Sequence, residues 1–223
     1  FEPLEMTLAE GDTLSIDLHR ELGLPTVDVV MLLDTTCSMS ATASAFASEF
    51  NDIVSDLSVE LGDAALYGFA TYDDYAFGGY GYPSSGDRPF ILQQPVTRDI
   101  DAVSEALSTV SIHFGGDGPE SGMEALYQAM TGSGYDQDCD GIYDDATDVA
   151  PFIARSSDLF SGAIGAAEGF DAVFGDRGGL GFGLNSLPII IYATDNYLRD
   201  PEDGYGVPGG CPRDAGSSDV VDA

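Results

Sequence analysis

Lysine is absent from the 223 residues: the seven basic side chains are all arginine, set against 39 acids, for a formal net charge of −32. That absence excludes a phosphate-loop lysine, a Schiff-base lysine and a lysine–asparagine isopeptide link. So negative a field repels nucleic-acid phosphates and anionic lipid headgroups, and no apolar run approaches the roughly 20 residues that span a bilayer. Neither nucleic acid binding nor direct membrane insertion is expected. Cysteine is scarce too: Cys37, Cys139 and Cys211 are too few for a disulfide scaffold and lack the paired spacing of a zinc site. One bridge with one free thiol can form, with Cys139 to Cys211 the pairing we favour. The two histidines, His19 and His113, lie far apart with no serine or cysteine motif that would make either a base, and read as satisfied surface or edge residues.

What is abundant is acid on an otherwise ordinary core. The 43% hydrophobic content suits one large domain with an appendage, or two small ones. Acid-rich surfaces fit a high-salt medium, which screens self-repulsion, or a calcium-rich one, whose cations occupy carboxylate clusters. Both settings lie outside the cytosol.

Residues 4–19 alternate apolar and polar around a Gly-Asp turn, as a half-buried hairpin would, so 1–26 read as a β hairpin and linker belonging to a flanking β domain. From Val27 buried strands alternate with amphipathic helices. Strands are expected at "VDVVMLLD" (27–34), "ALYGFATYDD" (65–74), an edge strand "FILQQPVT" (90–97) and "LPIIIYATD" (187–195), the last buried on both faces. A long helix carries Phe46, Phe50, Ile53, Val54, Leu57 and Leu61 on one face, and a second, capped at its start, carries Val103, Leu107 and Val110. A third has Pro119 and Glu120 in its first turn with Met123, Leu126, Tyr127 and Met130 inward, and a fourth covers about 157–174. The glycine-rich "GGLGFGLN" precedes a strand and has no lysine, so it reads as an irregular lead-in to that strand and not a phosphate loop. The pattern predicts an α/β fold, a doubly wound, mostly parallel sheet flanked by helices, whose ligands gather at the carboxyl ends of the strands. Those ends carry Asp34, Asp73 with Asp74, and Asp195.

The stretch "VVMLLDTTCSMS" runs from a buried strand into a loop where Asp34, Thr36 and Ser38 occupy alternate positions. One carboxylate and two hydroxyls can thereby converge on a point, oxygen coordination suited to Mg²⁺, Mn²⁺ or Ca²⁺. The stretch resembles the D-x-S/T-x-S signature of von Willebrand factor A domains, their metal-ion-dependent adhesion site. "GGDGPESGMEAL" resembles the second metal loop in its integrin-β-like form, which implies Glu120 as a ligand, and "IIIYATDN" resembles the fourth strand with its terminal aspartate, Asp195. The three segments fall in the family's order over most of residues 27–200. The resemblance also implies an adjacent calcium site from Asp74, Asp117, the Pro119 carbonyl and Glu120, although the family's asparagine falls on Gly115. A further, inhibitory site needs acids where this chain has "SATASA", and is expected to be absent. Two more strands and a closing helix are expected beyond the fourth strand, so 27–223 reads as an incompletely represented domain.

A second signature stands apart from that family. "DQDCDGIYDDATD" sets Asp136, Asp138 and Asp140 at alternate positions before Gly141, with Asp144 and Asp148 following and the Ile142 carbonyl as a further ligand. An EF-hand needs glutamate where Thr147 stands. The segment is more similar to the aspartate-rich calcium loops of thrombospondin type 3 repeats, inserted at about 134–149.

Together these imply a non-enzymatic, divalent-metal-dependent adhesion or ligand-binding domain, extracellular or displayed on the surface of a marine or halophilic bacterium. Its rim cation would capture an acidic group of a protein or other surface ligand. The alternatives are a calcium-stabilised structural module of a large surface protein and a metal-dependent hydrolase.

Overall fold

A computed structural model of the chain describes residues 26–152, 175–211 and 215–223. The hairpin read over 1–26, apart from Thr26 itself, and the helix read over 157–174 lie outside the described residues, as does His19. Four strands, β1 (Thr26–Asp34), β2 (Ala65–Tyr72), β3 (Ile91–Thr97) and β4 (Ser186–Ala193), form one sheet in the order β3-β2-β1-β4. β1 pairs in parallel with both β2 and β4, and β3 runs antiparallel along β2. Four helices are described: α1 (Ser40–Leu61), α2 (Ile100–Thr109), α3 (Gly122–Thr131) and the short α4 (Ser217–Asp222).

The alternation of β1 explains the layers. Val27, Val29, Met31 and Leu33 pack on one face with Phe50 and Val54 of α1 and Val103 and Leu107 of α2. Val30 and Leu32 point to the other face, where Ala125 and Ala129 of α3 meet Tyr72, Tyr135 and Leu180. Successive strand residues face opposite sides, so a run that is apolar throughout requires helices on both. Each such side chain, once fully buried, contributes about 1.5–3 kcal/mol. The result is an α/β sheet of mostly parallel strands covered on both faces.

α2 starts where its cap does: Asp99 accepts a hydrogen bond from the Ala102 N–H at 3.2 Å. β3 is the edge strand expected, and Pro95, which has no N–H to give, falls where the register with β2 slips between Phe69 and Tyr67.

α3 departs from the sequence reading. It begins at Gly122, so Pro119 and Glu120 precede the helix instead of forming its first turn. Met123, Leu126, Tyr127 and Met130 are only half-buried; the buried face carries Glu124, Ala125, Gln128 and Ala129. Small residues let the helix approach the sheet closely, and the two polar ones are satisfied internally. Glu124 accepts from Gln128 Nε2 and the Ala215 N–H, both at 2.7 Å, while Gln128 Oε1 accepts from the Gly134 N–H at 2.9 Å.

β4 departs too. Among the described residues it is an edge strand, with Pro188 and Ile189 exposed, because no further strand bonds to its outer side. Residues 178–185 form an irregular lead-in to it, fixed by Asp28, a fully buried acid inside β1 whose Oδ2 accepts from the Gly183 N–H at 2.7 Å and from Ser186 Oγ. Among the described residues no helix is long and apolar enough to cross a membrane.

Candidate functional site

The parallel register delivers the acids to one rim. Asp34 pairs across from Tyr72, directly before Asp73 and Asp74, and Leu33 pairs with Ala193, directly before Thr194 and Asp195. Asp34 is fully buried, and its Oδ1 accepts from the Thr36 N–H at 2.9 Å and Thr36 Oγ1 at 2.7 Å. Its Oδ2 accepts from Thr194 Oγ1 at 2.7 Å. Thr36 Oγ1 lies 3.2 Å from Ser38 Oγ, which donates to Asp195 Oδ1 at 2.9 Å. The chain of oxygens therefore runs from a buried carboxylate through two hydroxyls to an exposed one, Ser38 and Asp195 forming the open side. Burial raises the pKa of Asp34 against the lowering effect of the Thr194 and Thr36 hydrogen bonds.

Glu120 reaches the same place from the loop before α3. Its N–H donates to the Tyr197 carbonyl at 2.9 Å and its carbonyl accepts from the Arg199 N–H at 2.6 Å, a parallel bridge to the segment after β4. Oε1 accepts from Asn196 Nδ2 at 3.3 Å, while Oε2 is buried without a hydrogen-bond partner among the described residues. Burial first, then the neighbouring Asp74 and Asp34, push this carboxyl up to about 8. Gly115 shows which way Oε2 faces: a Cβ there would lie 2.9 Å from Thr36 Cγ2 and 3.4 Å from Glu120 Oε2. Thr36 and Glu120 thus meet at Gly115, whose φ of +68° also disfavours any side chain. No side-chain ligand fits at that position. A buried, unpartnered carboxylate oxygen beside another buried acid and two hydroxyls is a donor set that fits a hard divalent cation.

The set implied for an adjacent calcium is also brought together, but around a different cation. Arg199 Nη2 donates to Asp74 Oδ2 at 3.3 Å, to the Pro119 carbonyl at 2.6 Å and to Asp117 Oδ1. A guanidinium therefore sits among the ligands expected of a second metal. Asp74 is nonetheless pushed up to about 7, because its burial outweighs the attraction of Arg199. The sequence reading missed Arg199, and a lone arginine four residues past Asp195 offers no motif by which to find it.

A third cluster was also missed. Asp73, Asp87 and His113 offer ligand atoms within 4.8 Å of one another. They act as a staple between loops: Asp73 accepts from Thr35 Oγ1 and bonds His113 Nδ1, both at 2.7 Å, and Asp87 accepts from the N–H groups of Tyr82, Phe114 and Gly115. The hydrogen bond to Asp73 raises the His113 pKa, and burial raises that of Asp73. His113 is satisfied, as expected, half-buried with its ring on Asp73 and its N–H donating to the Thr35 carbonyl at 2.8 Å.

The aspartate-rich loop closes on itself. Tyr135 and Val149 exchange both backbone hydrogen bonds at 2.8 Å and pinch its base. Asp136, Asp138 and Asp140 bring carboxylate oxygens within 4.8 Å of one another. Asp136 accepts from the Cys139 and Gly141 N–H groups, Asp140 from that of Ile142 at 2.7 Å, and Asp148 from those of Gln137 and Asp144. The Ile142 side chain is exposed; Asp144 and Asp148 lie on the closing side, outside the tight triple. Cys139 is bridged to Cys211, and Cys37 is the free, exposed thiol.

Compared with known proteins, the chain matches no protein-family model and no curated protein sequence.

Proposed function

We propose that the chain is a divalent-metal-dependent ligand-binding domain of the adhesion type, built like a von Willebrand factor A domain of the integrin-β-like kind. The observation that carries this reading is Glu120 Oε2, buried beside Asp34 and Thr36 and without a hydrogen-bond partner among the described residues. Asp34, Thr36, Ser38, Glu120 and Asp195 would hold Mg²⁺, Mn²⁺ or Ca²⁺, some through water. The ion supplies a Lewis-acidic position for a carboxylate of the partner. Asp34 and Glu120 anchor from the buried side; Ser38 and Asp195 keep the other side open to a ligand. The negative surface and the Cys139–Cys211 bridge support an extracellular or surface location in a salty, calcium-containing medium.

The test is calorimetric titration of Mg²⁺ and Ca²⁺ into chelator-stripped protein, alongside capture of a carboxylate-bearing surface ligand. Asp34→Ala is expected to lose the rim binding event and the capture together. Unchanged metal binding in that variant overturns the reading. A second reading, a calcium-stabilised structural module, is favoured by Asp136, Asp138 and Asp140. It predicts calcium-dependent stability without metal-dependent capture.

A further inference from the structure

Arg199 is 3% exposed, and its guanidinium serves four segments of chain at once. One nitrogen, Nη2, meets oxygens of Asp74, Asp117 and Pro119; a second, Nη1, donates to the Gly206 carbonyl at 2.8 Å; and the guanidinium carbon stands 4.5 Å from the centre of the Tyr80 ring. Two carboxylates and a carbonyl converging on one point form the kind of cage that a hard cation takes. A guanidinium brings charge to such a cage in a form that neither titrates in the ordinary range nor exchanges with solvent ions. The same residue also grips Glu120: the Arg199 N–H donates to the Glu120 carbonyl at 2.6 Å, while Nη2 holds the carbonyl of Pro119 immediately before it.

We infer that Arg199 is the fixed internal cation of the rim: it closes the cage of Asp74, Asp117 and Pro119 to divalent ions and positions Glu120 for the exchangeable one. The second half rests on the rim reading proposed above; the first does not. Asp34, Asp74, Asp117, Glu120 and Asp195 bring five carboxylates into a small volume, and one built-in positive charge lets two of them assemble without any metal. The rim is then a single-metal site whose supporting cage is always filled. Arg199 is a positioning residue, since it touches neither the exchangeable cation's hydroxyl ligands nor its open side.

The experiment is titration of Ca²⁺ and Mg²⁺ into chelator-stripped full chain carrying Asp74→Asn, Arg199→Ala, both, or neither, with Asp34→Ala as the marker of the rim event. Asp74→Asn alone is expected to leave the number of bound divalent ions unchanged. Arg199→Ala is expected to gain one Ca²⁺ event, with a dissociation constant on the order of 10⁻⁴–10⁻³ M, as in extracellular calcium modules. Adding Asp74→Asn to Arg199→Ala is expected to remove it. Two results overturn the inference: loss of a binding event in Asp74→Asn alone, which means that metal already enters the cage, or no gained event in folded Arg199→Ala. Should Arg199→Ala fail to fold in excess Ca²⁺, Asp74→Asn in the parent decides alone, unchanged stoichiometry supporting the inference and a lost event overturning it. An Asp34→Ala variant that binds metal as the parent does sinks the rim reading instead, and leaves the result at Asp74 standing.

Discussion

Ser38 Oγ donates to Asp195 Oδ1 at 2.9 Å across 157 residues of sequence, joining the loop after β1 to the loop after β4. The contact makes the rim one unit, so its members should fail together. Asp34→Asn keeps the shape of the side chain but removes its charge, and should abolish rim metal binding while costing about 1–3 kcal/mol of stability, the range for disturbing a buried hydrogen-bonded group. Calorimetry and denaturant melts separate the two effects. Ser38→Ala, at an exposed position, should weaken metal binding with stability changed by less than about 0.5 kcal/mol.

Among the raised carboxyls, Glu120 and Asp74 carry the pH dependence of metal-free protein up to the neutral range. Glu120 moves from 4.5 to about 8 and Asp74 from 3.8 to about 7 on folding. Both bind their protons more tightly when folded, so stability is fullest at low pH and falls as pH rises through each window. The slope is about 1.4 kcal/mol per pH unit for each group, and it vanishes above the folded values. Thermal melts in chelator should therefore show a lower midpoint at pH 8 than at pH 5. Saturating Mg²⁺ or Ca²⁺ should flatten the Glu120 part, and Glu120→Gln should raise the metal-free midpoint at pH 8 while removing the gain from rim metal.

Gly115 stands where the resemblance would place an asparagine. With φ at +68° and Thr36 Cγ2 at 2.9 Å from a built Cβ, Gly115→Ala should cost about 1–3 kcal/mol and displace Thr36. Metal affinity at the rim should fall with it, as measured by calorimetry at a temperature where the variant remains folded.

The aspartate-rich loop should behave independently of the rim. Removing Asp138 and Asp140 together should eliminate one Ca²⁺ event and leave Mg²⁺ binding at the rim unchanged, because the two sites share no residue. Replacing Cys139 and Cys211 with serine opens a link spanning 72 residues, for which chain-entropy arguments give about 4 kcal/mol. A melt of the serine pair against the oxidised parent measures it.

The strands and their order of acids were legible because burial on two faces leaves a continuous apolar run and strand ends leave polar ones. Asp34, Thr36 and Ser38 could be read directly, being two residues apart in a single loop. Glu120 departs from the helical placement that Pro119 before it suggests, because its bridge to Leu198 holds it off α3. The inward face of α3 was misread because Ala125 and Ala129 matter through closeness of approach, which a search for large apolar residues overlooks. Arg199 was invisible: its role depends on four partners drawn from positions 74, 117, 119 and 206, none of them at a periodic distance. His113 and Asp73, 40 residues apart, were illegible for the same reason.

The bridge from Cys139 to Cys211 also sets how the molecule answers a pulling force. In any chain stretched along its backbone, a covalent crosslink carries load past everything it encloses. The 72-residue separation withholds about 250 Å of contour length at full extension. Asp195 and Arg199 lie inside the enclosed stretch, whereas Asp34 and Glu120 lie outside it. When tension draws β1 away from β4, the half of the rim bearing Asp195 and Arg199 stays leashed to the aspartate-rich loop, itself unloaded and within reach of its partners when the load is released.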